Sequence, residues 1–114
     1  MVKQAQDPQE LERLLVSRQW EGDVEGMVDL YEPDAILDDG SGSLAIGKTA
    51  IRKVFMDLVA TGDKFDLGTQ QDAIVCGDLA LTSTRLSDGT VTAEIARRQS
   101  DGTWLWVIDR FSVT

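Results

Sequence analysis

A chain of 114 residues, 42% hydrophobic and 27% charged, has the size and composition of one globular domain with a single core. Its net charge of −9 works against nucleic-acid phosphates and anionic membrane surfaces, and no apolar run is long enough to cross a bilayer. One cysteine excludes an internal disulfide, and the absence of histidine removes the commonest general base, zinc ligand and triad member.

Acid–base chemistry therefore falls to carboxylates, Tyr31 or a perturbed lysine. The opening "MVKQAQDPQELERLL" lacks the apolar centre of a signal peptide. The expectation is one domain over residues 1–114, cytoplasmic, with no cofactor, no metal and no nucleic-acid or membrane partner.

In "DPQELERLLVSRQWEGD", Asp7 is placed to cap a helix whose first position is Pro8. Leu11, Leu14, Leu15 and Arg18 follow helical spacing. Asp23 then caps a second short helix in "VEGMVDLY", with Met27, Leu30 and Tyr31 on its inner face and Pro33 beyond its end. "DAILDDGSGSLAIG" reads as a strand, a turn and a short return strand. A third helix starts at Gly47 or Thr49, carries Ile51, Val54, Phe55, Leu58 and Val59 on one stripe, and stops at Gly62.

After Phe65 the pattern changes to four strand-like runs separated by "GD", "SDG" and "SDG", which are hairpin signals. Helices first and hairpins afterwards is the α+β arrangement, with helices packed on one face of a mainly antiparallel sheet. Cys76, in the strand-like "AIVCG", reads as a buried, unreactive thiol.

Two short motifs invite other chemistry. "GSLAIGKT", Gly42 to Thr49, matches the spacing of a phosphate-binding loop. Leu44, Ala45 and Ile46 have strand character, however, and the later hairpins leave no room for the parallel sheet such a loop serves. "DDGSGS" lacks the spaced acidic ligands and closing glutamate of a calcium loop. A solvated turn accounts for it better.

The order of "GDVEGMVDLYEPDA", "GKTAIRKVF" and "RRQSDGTWLWVIDRFS" resembles the SnoaL-like branch of the nuclear transport factor 2-like (cystatin-like) superfamily over nearly the whole chain. The resemblance implies three helices packed on a strongly curved sheet, a cone whose interior is a pocket for a small, partly apolar molecule. It also implies frequent homodimers joined through the outer sheet face. Superfamily members range from isomerases and cyclases to dehydratases and non-catalytic binding modules, so fold does not choose between them.

By that resemblance, the catalytic base of ketosteroid isomerases falls on Asp39. Their oxyanion tyrosine and protonated aspartic acid fall on Leu15 and Ala96, so both oxyanion donors are missing. Steroid isomerisation is thereby disfavoured.

In the last run, "WLWVIDRFSV", simple alternation places Leu105, Val107, Asp109, Phe111 and Val113 on one face and Trp104, Trp106, Ile108 and Arg110 on the other. A carboxylate in an apolar row suggests that the row lines a cavity. The inward set then includes Leu81, Ser83 and Arg85 on one strand and Glu94, Ala96 and Arg98 on the next. Trp20 and Tyr31 sit near the mouth.

The expected site thus has Asp39 and Asp109 as catalytic carboxylates, with Trp20, Tyr31, Leu81, Arg85, Glu94, Arg98, Val107 and Phe111 binding the ligand. Two roles stay open for Asp109. Burial would suit it to proton transfer, whereas a neighbouring Arg85 or Arg98 would make it a structural ion pair or a support holding that arginine for an anionic ligand. Trp104, Trp106 and Ile108 would form an outer patch, closed by a second copy or covered by Arg97 and Gln99.

Overall fold

The computed structural model describes residues 3–114, so Met1 and Val2 of the opening segment lie outside the described residues. The first helix, α1 (Glu10–Trp20), begins two residues later than the sequence suggests. Asp7 still organises its start, its side chain accepting from the Gln9 amide at 2.8 Å. Asp23 caps α2 (Val24–Val28) through the Gly26 amide, as expected. Gly26 is needed there, because a Cβ would lie 2.2 Å from Asp23 Oδ2.

The second helix is shorter than its apolar spacing implies. Tyr31 belongs instead to β1 (Tyr31–Asp38), which also contains Pro33. A Pro within a paired strand requires a break in the ladder. The break is present, since pairing with the neighbouring last strand is irregular between Tyr31 and Ile36.

Leu44–Ile46 forms β2, antiparallel to β1. The segment that a phosphate-binding loop would need as free backbone is therefore committed to a sheet. Gly47, at φ 85°, turns the chain into α3 (Lys48–Ala60), whose Ile51 and Phe55 are fully buried.

The four predicted runs after Phe65 become six strands: β3 (Thr69–Gln70), β4 (Ile74–Cys76), β5 (Leu79–Thr82), β6 (Thr84–Arg85), β7 (Ala93–Arg98) and β8 (Trp104–Arg110). The main sheet runs β2-β1-β8-β7-β5-β4, antiparallel apart from the β1–β8 pair. The chain leaves it at Ser83, and β6 pairs with β3 in a separate ribbon. This corner curves the sheet around the helices. The core between them includes Leu11, Leu15, Met27, Leu30, Tyr31, Leu37, Ile51, Phe55, Trp104 and Trp106.

The alternation expected along β8 fails at one place. Ala96 pairs with Trp106 and Ile95 with Ile108, so Val107 is an extra residue with no opposite number, a β-bulge. Below the bulge Trp104 and Trp106 face inward, and above it Asp109 does. The two tryptophans are 6% and 0% exposed and belong to the core, which corrects their assignment to an outer patch. Ile108 alone of the three remains outside, 48% exposed.

The strand β5 is likewise shifted by one. Ala80 and Thr82 point inward, while Leu79 and Leu81 are exposed. Cys76 is also exposed rather than buried, because β4 is an edge strand and Cys76 shares the outer face with its partner Leu79. No helix among the described residues is long and apolar enough to cross a membrane.

Candidate functional site

A cavity of about 190 Å³ lies between α1, α3 and the inner face of the sheet. Leu15, Leu58, Phe65, Leu86 and Phe111 supply its apolar wall, and Glu12, Asp66, Thr92, Glu94 and Asp109 its polar groups. Among the described residues, no lysine or arginine lines it.

Asp109 and Glu94 are the most buried of these groups, each 3% exposed. Asp109 Oδ2 accepts a hydrogen bond of 2.5 Å from the Tyr31 hydroxyl, and Tyr31 is itself packed against Phe55 and Trp106. On β7, Glu94 stands directly opposite Asp109 in the ladder. Two carboxyl groups on one rung repel if both are ionised. Glu94 accepts from Thr82 Oγ1 at 2.6 Å, and the Trp106 indole N–H donates to that same hydroxyl at 3.3 Å.

Glu12 approaches from α1 as a third carboxyl. Among the described residues it has neither a hydrogen-bond partner nor an ion-pair partner.

The electrostatics follow from this crowding. Burial, then the charge of Glu94, pushes the Asp109 carboxyl well above the usual range, and the Tyr31 hydroxyl offsets only part of that. Burial also raises Glu94, against the hydrogen bonds from Thr82 and Thr92. Glu12 is raised well above its ordinary range by burial, then by Glu94 and Asp109. Tyr31 is held protonated by burial and by the neighbouring Asp109. The three carboxyls titrate as an interacting group and can hold a proton where an isolated carboxylate would have lost it.

A strap over the mouth carries Phe65 and Asp66. Gln19 donates to the Asp63 carbonyl at 2.7 Å and accepts from the Phe65 amide at 2.9 Å, while the Trp20 indole donates to the Phe65 carbonyl at 2.7 Å. At the far end, Asp66 accepts from the Ser87 amide at 2.6 Å. Gly68 lets the strap pass β6, where a Cβ would sit 2.6 Å from the Arg85 carbonyl oxygen. Trp20 is thus a positioning residue at the mouth rather than part of the lining.

Of the expected site residues, Asp109, Glu94 and Phe111 line the cavity, and Tyr31 lies beneath it as the partner of Asp109 rather than at its mouth. Asp39 is elsewhere. Its carboxylate accepts from the Ser41 amide in the turn after β1, and the hydrogen bonds of Ser41 lower it below the usual range. A low, turn-bound carboxylate outside the cavity is not the base that the resemblance implied.

Leu81 faces outward, and Val107 is the bulged residue. Arg85 is exposed, and Arg98 is exposed and paired with Asp78 at 2.6 Å. Neither arginine reaches Asp109, so the ion-pair role left open for that residue gives way to a phenol–carboxyl contact.

Glu12 was the residue missed. It precedes Leu15, Val16 and Gln19 by three, four and seven positions, placing an acid on the inward stripe of α1. The same anomaly that marks Asp109 marks Glu12.

Residues 11–114 match the family model described as a SnoaL-like domain. No curated protein matches the chain. Among solved structures, a protein of unknown function with a cystatin-like fold from Nostoc punctiforme is 19% identical, with a TM-score of 0.70 over 90% of this chain and 84% of that one. An NTF2-like protein with a cystatin-like fold from Novosphingobium aromaticivorans is 22% identical, with a TM-score of 0.63 over 89% and 75% of the two chains. A ketosteroid isomerase-like protein from Erwinia carotovora atroseptica is 16% identical, with a TM-score of 0.64 over 90% and 89%. At these identities the structures show a shared fold. With the family match spanning almost the whole sequence, and with helices, curved sheet and internal cavity in place, the chain belongs to the SnoaL-like domain family.

Proposed function

We propose that the chain binds a small, partly apolar molecule in the Asp109 cavity and transfers a proton to or from it without a cofactor. One observation carries this reading: Asp109 and Glu94 face each other on one rung and share with Glu12 a cavity walled by Leu15, Leu58, Phe65, Leu86 and Phe111. Carboxyls raised toward neutrality are suited to general acid–base work at ordinary pH. A cavity of about 150 Å³ is enough to admit benzene, so this one accommodates a compound built on a single ring.

An isomerisation needs only this proton movement, whereas a dehydratase step would add the loss of a hydroxyl as water and a cyclase step the closing of a ring bond. Asp109 is the group assigned to exchange the proton, with Tyr31 holding its carboxyl in place. Asp39 has no part in it. The competing reading, a binding module without turnover, draws on the missing oxyanion donors at Leu15 and Ala96.

Incubation with small carbonyl compounds in D2O separates the two. Deuterium entering carbon next to the carbonyl, and failing to enter with Asp109→Asn, is the expected result. Ligands that stabilise the chain in thermal unfolding yet exchange no proton would establish the binding module instead.

We also propose a homodimer through the outer sheet face. Ile74, Leu81, Ile95, Ile108, Ile36 and Ile46 pair in succession across β4, β5, β7, β8, β1 and β2, forming one aliphatic row over the whole main sheet. Ile74, Leu81, Ile108 and Ile46 are each more than one-third exposed. Ion pairs flank the row, Arg97 with Glu32 and Arg110 with Asp38. An apolar centre with a charged rim is the composition of an interface.

A further inference from the structure

The charge inside the cavity has no counterpart. Glu12, Glu94 and Asp109 come from three different elements and converge on one space, and the fourth acid, Asp66, stands at its mouth. The ion pairs among the described residues all use other carboxylates. The neutral donors present are Tyr31 on Asp109 and Thr82 and Thr92 on Glu94. Glu12, half-buried on α1, receives no hydrogen bond among the described residues. Like-charged groups opposite one another on a strand pair cost stability, and an apolar wall raises that cost. A protein can keep such a set by retaining protons on it or by meeting it with a cation.

We propose that the occupant of this cavity is a protonated amine carried on a hydrocarbon body of about one ring. This deepens the ligand-binding reading above and rests on it. The ammonium group supplies the missing positive charge among Glu12, Glu94 and Asp109, and three N–H donors match three carboxyls that have acceptor capacity to spare. The hydrocarbon body lies against Leu15, Leu58, Phe65 and Phe111, where a cation near an aromatic face gains further attraction. An anionic ligand would add a like charge to the set, and a neutral one would leave it uncompensated.

The proton balance gives the proposal a signature. An ammonium ion entering beside a protonated carboxyl favours one carboxylate, so about one proton leaves to the buffer for each amine bound. Affinity should rise with pH as Glu12, Glu94 and Asp109 ionise, with Asp66 at the mouth adding attraction. No basic side chain lines the cavity to compete. Binding weakens again when the amine itself loses its proton.

Calorimetric titration of the full chain with benzylamine, benzyl alcohol and benzoate at neutral pH tests this. Benzylamine should bind about tenfold or more tightly than benzyl alcohol, the equivalent of one charge-assisted hydrogen bond. Benzoate should be rejected. The heat of benzylamine binding should differ between phosphate and Tris in the sense of proton release. Glu12→Gln, which keeps the side chain's size where it lines the cavity, should remove most of the preference, and a thermal melt verifies that it folds.

Equal binding of the alcohol and the amine, or a preference unchanged in both Glu12→Gln and Asp109→Asn, would overturn the amine assignment while leaving the cavity as a ligand site. Failure of all three compounds to bind would overturn both.

Discussion

Asp109 faces Glu94 across one rung of the sheet and takes a hydrogen bond from a phenol that is entirely buried. The folded state favours the protonated forms of Asp109, Glu94 and Glu12, whereas the unfolded chain lets them ionise in the ordinary range. A native state that binds more protons than the unfolded one loses stability as pH rises. Denaturant unfolding should therefore show stability falling from about pH 4 upward through the raised titrations, opposite to the effect of salt-bridged carboxylates. Asp109→Asn should flatten that decline and stabilise the protein on its alkaline side, since an amide still accepts from Tyr31.

Tyr31→Phe should cost about 1–2 kcal/mol in the same measurement, because the Asp109 carboxyl loses its donor. At this scale the sequence was informative wherever an acid interrupted an apolar stripe, as at Asp109. Asp39 misled because position in a motif was taken for position in a cavity, whereas its carboxylate is engaged by Ser41 in the turn after β1.

Among the elements, β8 matters most, because one extra residue decides which way its side chains point. Val107 carries no signal of a bulge: there is no glycine or proline nearby, and either face of "WLWVIDRF" is apolar enough to be buried. Strict alternation therefore put Asp109 on the inner face for the wrong reason and sent Trp104 and Trp106 outside. The helices were more legible, since α3 shows a full stripe from Ile51 to Val59 and α2 has Asp23 as its cap.

Trp106 holds the bulge in register, packing on Tyr31 and donating to Thr82, whose hydroxyl supports Glu94. Trp106→Ala should destabilise by about 3–5 kcal/mol, read from chemical unfolding. Trp20→Phe belongs to the strap instead. Losing its hydrogen bond to the Phe65 carbonyl should weaken ligand binding severalfold with little change in stability, seen by comparing titration with melting.

For the whole molecule, the sheet turns a different chemistry to each side. The inner face holds carboxyls in hydrocarbon, and the outer face carries an aliphatic row from Ile74 to Ile46. The α+β class was readable from the helix-then-hairpin order, and the curved sheet was what the family resemblance implied. The outer row was not, because it emerges only when six strands are brought into register.

Ile108→Lys places a charge at the row's centre and leaves the core untouched. Sedimentation should show a dimer for the native chain and a monomer for the variant, with unfolding unaffected beyond the loss of association. An unchanged sedimentation coefficient would show that the row is not the contact.

The most direct test of the account is an NMR titration of the Asp109 side-chain carboxyl carbon, assigned by comparison with Asp109→Asn. The account predicts that this carboxyl stays protonated well above the usual aspartate range, and that its resonance responds to the ionisation of Glu94. Titration near the ordinary value of about 3.9, without response to Glu94, would contradict it.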